Sequence, residues 1–303
     1  MKKLTTFLLL FMTISALAQI KLPKKKDWEI ANTKPIIVLQ LPDTDPNASV
    51  FNPSVKKYVE QYFGASRISQ YLQPKEFDKA TKKNKEDFIF IGYKYNKAGS
   101  NWFTQIFLGI TDVAFMVNGG YLATVNYSDK SKFLNSEVKQ FTEADVKFAI
   151  ASFKNQIDYG VSQEDLSFKE MRENAGKTPV ELNPKVKELK DLTLLIDKNL
   201  VKEKFINAFS ASYKYKFEFV ESSRIEQAIL NHEKNIAFVY EYSQPTARGG
   251  YVTSLYIYKG DDLSNLFTYL PDKSTGIGFI DLVKGLSSNE GKEYATTLNE
   301  SIK

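Results

Sequence analysis

The sequence predicts an α/β or α+β protein of two related β-α-β-α-β-β units, each followed by helices. Three observations predict it. Strand-length apolar runs alternate with helical patterns between Lys190 and Asp272, a fainter copy of the same order lies between Lys34 and Asp129, and helical material follows each copy.

In the clearer copy, Leu192 to Asp197 is a short apolar run followed by turn formers. Val201, Phe205, Ala208, Phe209 and Ser212 then fall at helical spacing. Lys214 to Val220 alternates polar with apolar residues, the period of a half-buried strand. Ser222 or Ser223 is placed to cap the next helix, which carries Ile225, Ala228, Ile229 and His232 on one side, with Glu226 as the capping-box partner of Ser223. Ile236 to Tyr242, the loop Gln244 to Gly250 and Tyr251 to Lys259 read as a hairpin, and a short strand follows near Leu266 to Leu270.

The first copy is found by alignment. Phe77 to Ile91 matches Ile225 to Val239 without a gap: Ala80 meets Ala228 and Phe90 meets Phe238, an offset of 148 residues (228 minus 80, 238 minus 90). Lys34 to Leu41 answers Leu192 to Ile196, helix Ser54 to Phe63 answers Leu200 to Phe209, and Trp102 to Leu108 answers Tyr251 to Ile257. Several segments in one order at nearly one offset mark a repeat, and two copies make either two similar domains or one pseudo-symmetric body.

Lys2 and Lys3 precede the uncharged apolar stretch Leu4 to Leu17, and Ala16-Leu17-Ala18 supplies the small-x-small pattern a signal peptidase reads. The stretch is shorter than the roughly 20 residues that span a bilayer. Residues 1–18 are therefore expected to be a signal peptide, 19–33 a basic leader, 34–174 the first unit with its trailing helices, 175–189 a linker, and 190–303 the second unit. Trailing helices are expected at Phe141 to Ile157, Gln163 to Asn174, Phe279 to Leu286 and Glu290 to Ile302. No later segment is apolar enough to span a membrane, and the chain is expected to be exported, to the periplasm or beyond it.

The chain has no cysteine, which excludes thiol catalysis, thiolate metal sites, disulfides and a lipoprotein anchor. The formal charge of +5 falls to +3 once Lys2 and Lys3 leave with the signal, a balance that does not point to nucleic acid. The leader run Ile20 to Asp27 reads as a solvated basic tail, with weak attraction to an anionic surface as its functional alternative. His232 is the single histidine, so a multi-histidine metal site has no material and a serine triad could be built only on that residue; at a helix end, an imidazole commonly meets the last carbonyls, which is the reading preferred to catalysis. Asp43 and Asp45 lack the remaining spacing of a calcium loop. Gly276 and Gly278 lack the third glycine of a dinucleotide fingerprint. No catalytic residue, metal site or cofactor is therefore expected.

The aromatic residues carry the functional reading. Phe238, Tyr240 and Tyr242 share one strand face, Tyr256 and Tyr258 one face of its hairpin neighbour, and Tyr93, Tyr95 and Trp102 are read at the equivalent place in the first copy. Covered by helices, such faces are core; left open, they form a stacking platform for sugars, peptide or a partner protein. The candidate contact residues are Tyr95, Trp102, Tyr242, Arg248 and Tyr251, on and beside two glycine-containing hairpin loops.

The Met1 to Gln19 segment, with a mature chain rich in lysine, asparagine and aromatic residues, resembles uncharacterised secreted proteins of Bacteroidota. The β-α-β-α-β-β order, led by Leu192 to Ile196 with Phe217 to Ile225 in its middle, is similar to the amino-terminal domains of TolB-type envelope proteins over about half of each copy. That resemblance implies an envelope-associated interaction role and lends no catalytic residue. The expected function is an exported, non-enzymatic binding protein whose partner is an envelope protein or glycan. The competing reading is a carboxylate-based hydrolase acting on glycan or peptide, for which a convergent acidic pair is the requirement.

Overall fold

The computed structural model describes residues 23–81, 88–98, 101–110, 120–127, 141–165, 170, 183–245, 251–269 and 288–303. The expected signal peptide, the loop carrying Arg248, Gly276 and Gly278, the helix expected at Phe279 to Leu286, and most of the Gln163 to Asn174 helix and of the linker lie outside these residues.

The first unit runs α1 (Lys25–Thr33), β1 (Ile36–Leu39), α2 (Ala48–Phe63), β2 (Ile68–Leu72), α3 (Pro74–Thr81), β3 (Ile89–Ala98), β4 (Asn101–Ile110), β5 (Ala123–Tyr127) and α4 (Glu143–Ser162). The second runs from a 3-10 helix (Pro184–Lys190) through β6 (Thr193–Asp197), α5 (Glu203–Ser210), β7 (Phe217–Val220), α6 (Ser222–Asn231), β8 (Ile236–Pro245), β9 (Tyr251–Lys259) and β10 (Asn265–Tyr269) to α7 (Ser288–Ile302). Each forms a five-stranded mixed sheet, in the orders β2-β1-β3-β4-β5 and β7-β6-β8-β9-β10. The first three strands of each sheet pair in parallel through helical crossovers, and hairpin pairing makes the rest antiparallel.

The repeat extends to the register. Ile37 pairs with Gln70 on one side and Phe90 on the other, and Leu195 pairs with Glu218 and Phe238 in the same way. Both neighbours are thus related by the offset of 148 residues seen in the sequence (218 minus 70, 238 minus 90).

Three local expectations differ from the fold. Helix α2 begins at Ala48, ahead of Pro53, because wholly buried Phe51 anchors its first turns and the Asn52 amide closes on both backbone groups of Leu41. Helix α6 has Glu221 as its N-cap without a side-chain cap bond, since the Ser222 hydroxyl donates instead to Asp197 Oδ2 at 2.6 Å. Residues 25–33 of the basic leader form a docked helix rather than a solvated tail. Arg67 donates to the carbonyls of Ala31, Asn32 and Lys34 at its C-terminal end, and the Trp28 ring lies on Gly160, where a Cβ would sit 2.3 Å from the indole.

Helix α4 organises the core. Thr142 and Asp145 form its capping box. Val146, Ala149, Ile150, Phe153 and Ile157 are buried in one cluster with Val38, Ile91, Ile106 and Leu108 of the first sheet. Phe148, pointing elsewhere, meets Phe238, Tyr240 and Tyr258 of the second sheet at ring distances of 5.9, 4.7 and 4.8 Å. The helix therefore covers a face of both sheets. The opposite face of the second sheet, with Leu194, Ile196, Val239, Leu255 and Ile257, is buried with Phe205 and Phe209 of α5 and Tyr294, Leu298 and Ile302 of α7.

Helix α7 repeats the inward spacing of α4 residue for residue. Tyr294, Ala295, Leu298 and Ile302 stand 145 positions after Ala149, Ile150, Phe153 and Ile157 (294 minus 149 through 302 minus 157). Its outward residues are Lys292, Glu293, Thr296 and Glu300, all exposed. Where α4 carries Phe148, α7 carries Glu293, so the stack of sheets is capped by a polar helix surface, as terminal repeats are. Among the described residues no helix is long and apolar enough to cross a membrane.

Candidate binding ribbons and their anchors

Among the described residues, both hairpins outrun their sheets. β3 pairs with β1 only at Ile89, Phe90 and Ile91, and β4 pairs with β5 only from Thr104 to Leu108, yet β3 and β4 stay paired out to Ala98 and Asn101. In the second unit β8 pairs with β6 only from Ile236 to Phe238 and β9 with β10 from Leu255 to Tyr258, while the β8–β9 ladder continues to Pro245 and Tyr251. Among the described residues, each hairpin thus ends as a two-stranded ribbon.

Four of the five candidate contact residues lie on these ribbons. Tyr95 pairs with Thr104 and Trp102 with Lys97, while Tyr242 pairs with Ser254 and Tyr251 with Pro245. The period of two puts Tyr95 and Trp102 at register positions of one face, and Tyr242 and Tyr251 at positions of opposite faces. Arg248 lies outside the described residues. The expected equivalence of Tyr93 and Tyr95 with Tyr240 and Tyr242 does not hold: with Phe90 matched to Phe238, the two tyrosine pairs fall on opposite sides of their sheets. An odd displacement in a strand reverses the face.

The base of the first ribbon is tied to the loop after β1. Asp45 accepts from the Tyr93 hydroxyl at 2.5 Å, the Tyr95 hydroxyl at 3.0 Å and the Asn47 backbone at 2.8 Å. The Asn47 amide donates to Tyr95 Oη at 2.8 Å, and its oxygen accepts from the Phe141 backbone at 2.7 Å. The Asp45 carboxylate is thus occupied by hydrogen bonds from its own fold. Burial, then the bond to Asp45, pushes the Tyr93 hydroxyl far above its ordinary range, and burial raises Tyr95 as well. Both phenols are therefore neutral donors at physiological pH. The sequence does not show this cluster: Asp45 reads there as part of an incomplete calcium loop, and Asn47 carries no reading of its own.

The base of the second ribbon is tied to the first unit. The Tyr240 hydroxyl donates to the Asn126 carbonyl on β5 at 2.6 Å, and the Asn126 side chain accepts from Gln105 of β4 at 2.8 Å. Residues from both ribbon strands and the strand between them are thereby joined. Phe238, Tyr240 and Tyr258 are covered by Phe148, which makes them packing residues. His232 closes α6 in the left-handed conformation with its ring Nδ1 2.7 Å from the Asp261 carbonyl, on the loop after β9. Among the described residues no group of three or more histidine, cysteine, aspartate or glutamate side chains is placed to hold a metal ion. Comparison with protein-family models, with curated proteins and with solved structures finds no match for this chain.

Proposed function

We propose that the chain is an exported binding protein of the cell envelope that meets its partner, an envelope protein or glycan, through the two ribbons. The observation that supports this is their shared extension, among the described residues, beyond the flanking strands. A two-stranded ribbon gains little stability for its own sheet, and aromatic residues at its end offer contact area at small entropic cost. The signal-like N-terminus supports export. The test is capture of envelope components by the intact chain and by Trp102→Ala and Tyr251→Ala, with melting temperatures measured alongside. Loss of capture at unchanged stability supports recognition by the ribbons; a large fall in melting temperature in both variants assigns the residues to packing. Mass spectrometry of the exported protein is expected to find Gln19 at its start, and Met1 retained would refute export by this signal.

A further inference from the structure

We propose that Lys147 is a pH-sensitive clamp between the two units, closing more tightly as the medium turns alkaline. Lys147 lies on α4 and is 2% exposed. Its Nζ donates at 2.8 Å to the carbonyl of Leu230, in the last turn of α6, so the bond crosses from the first unit to the second.

The groups around it come from three helices. From α2, the Tyr58 ring stands 5.7 Å from Nζ and the Lys57 ammonium adds repulsion. From α4 itself, Glu143 lies one turn earlier and accepts from both Lys57 Nζ and Tyr58 Oη at 2.7 Å. From α6 comes the Leu230 carbonyl. Glu143 is thus shared with other donors, and the ammonium rests on one carbonyl and one aromatic face.

The device follows from what burial does to a cation. Loss of water, then Lys57, brings the amine down to about 8 from its ordinary 10.5, only partly opposed by Glu143. Once deprotonated, the amine still donates to Leu230 while the cost of hiding a charge is gone. An opened junction, with Lys147 in water, holds its proton to a much higher pH. Between about pH 8 and 10.5 the closed form therefore gains, by up to about 300-fold at the upper end. Below pH 8 both forms are protonated and the balance no longer depends on this group.

The absence of cysteine permits a clean test on the full mature chain. Spin labels at exposed Lys56 on α2 and Lys204 on α5 report the distance between the units. The proposal expects the distance distribution to narrow from pH 7 to pH 10 in the otherwise wild-type chain and to be indifferent to pH in Lys147→Met. An unchanged distribution in the wild type, or equal narrowing in the variant, overturns it. Should Lys147→Met fail to fold, competitive acetylation of the unmodified chain decides: a Lys147 midpoint near 8 supports the clamp, and one shared with the surface lysines refutes it.

Discussion

The Phe148 ring of α4 meets the Tyr240 ring of β8 at 4.7 Å, a contact between a helix that completes the first unit and a strand central to the second. Because the same helix carries Val146, Ile150 and Phe153 in the core of the first sheet, α4 belongs to the packing of both units.

Phe148→Ala is expected to cost about 3–5 kcal/mol, the range for truncating a buried aromatic. Glu293→Ala, at the matching position of α7, is exposed and is expected to fall within about 0.5 kcal/mol of the parent. Urea unfolding of the two variants measures the difference; equal effects would mean that α4 and α7 play the same part.

Gly160→Ala places a methyl group in the Trp28 ring, 2.3 Å from its Cγ. Displacing the indole is expected to cost about 1–3 kcal/mol, as overpacking does. The change should appear both in Trp28 fluorescence and in earlier proteolysis of residues 25–33. A variant with native fluorescence and native protease resistance would show that α1 is not held by this notch.

Asp45→Ala removes the acceptor of two tyrosine hydroxyls at the base of the first ribbon. Leaving those partly buried donors without it is expected to cost about 1–3 kcal/mol. Hydrogen exchange should rise along β3 and β4 while the second unit keeps its protection. Uniform exchange across both units would refute an anchor local to this ribbon.

Alkaline stability has a defined sign. Burial pushes Tyr62 up to about 12, and burial leads the upward shifts of Tyr71, Tyr93, Tyr127 and Tyr213. The unfolded chain ionises these phenols near pH 10, so the folded state holds more protons above that pH. The stability they contribute is complete below about pH 10 and is lost progressively as the pH climbs through the folded values. Ultraviolet titration should show a set of tyrosines that ionise late or together with unfolding; all 17 titrating together near pH 10 would contradict it.

Much of the fold was legible because its signals are local. The alternation in Lys214 to Val220 and the helical spacing around Phe205 and Phe209 each placed an element, and the match of Phe90 with Phe238 survived into the register of both sheets. The candidate site was less legible. Tyr95 and Tyr242 looked alike as aromatic residues in hairpins, but strand phase puts them on opposite faces. Asp45 looked like part of an incomplete calcium loop, and only the approach of Tyr93 and Tyr95 across the sheet made it and Asn47 an anchor.

The sequence by itself determined the order of strands and helices and their duplication, since periodicity and turn chemistry act over a few residues at a time. Tertiary structure alone decided which faces became core. The outward position that holds Phe148 in α4 holds Glu293 in α7; the residue types mark one face as covered and the other as wet, but only the fold shows that the second sheet does the covering. Burial depends on what packs across a face, and the segments that pack across one another here are far apart in the chain.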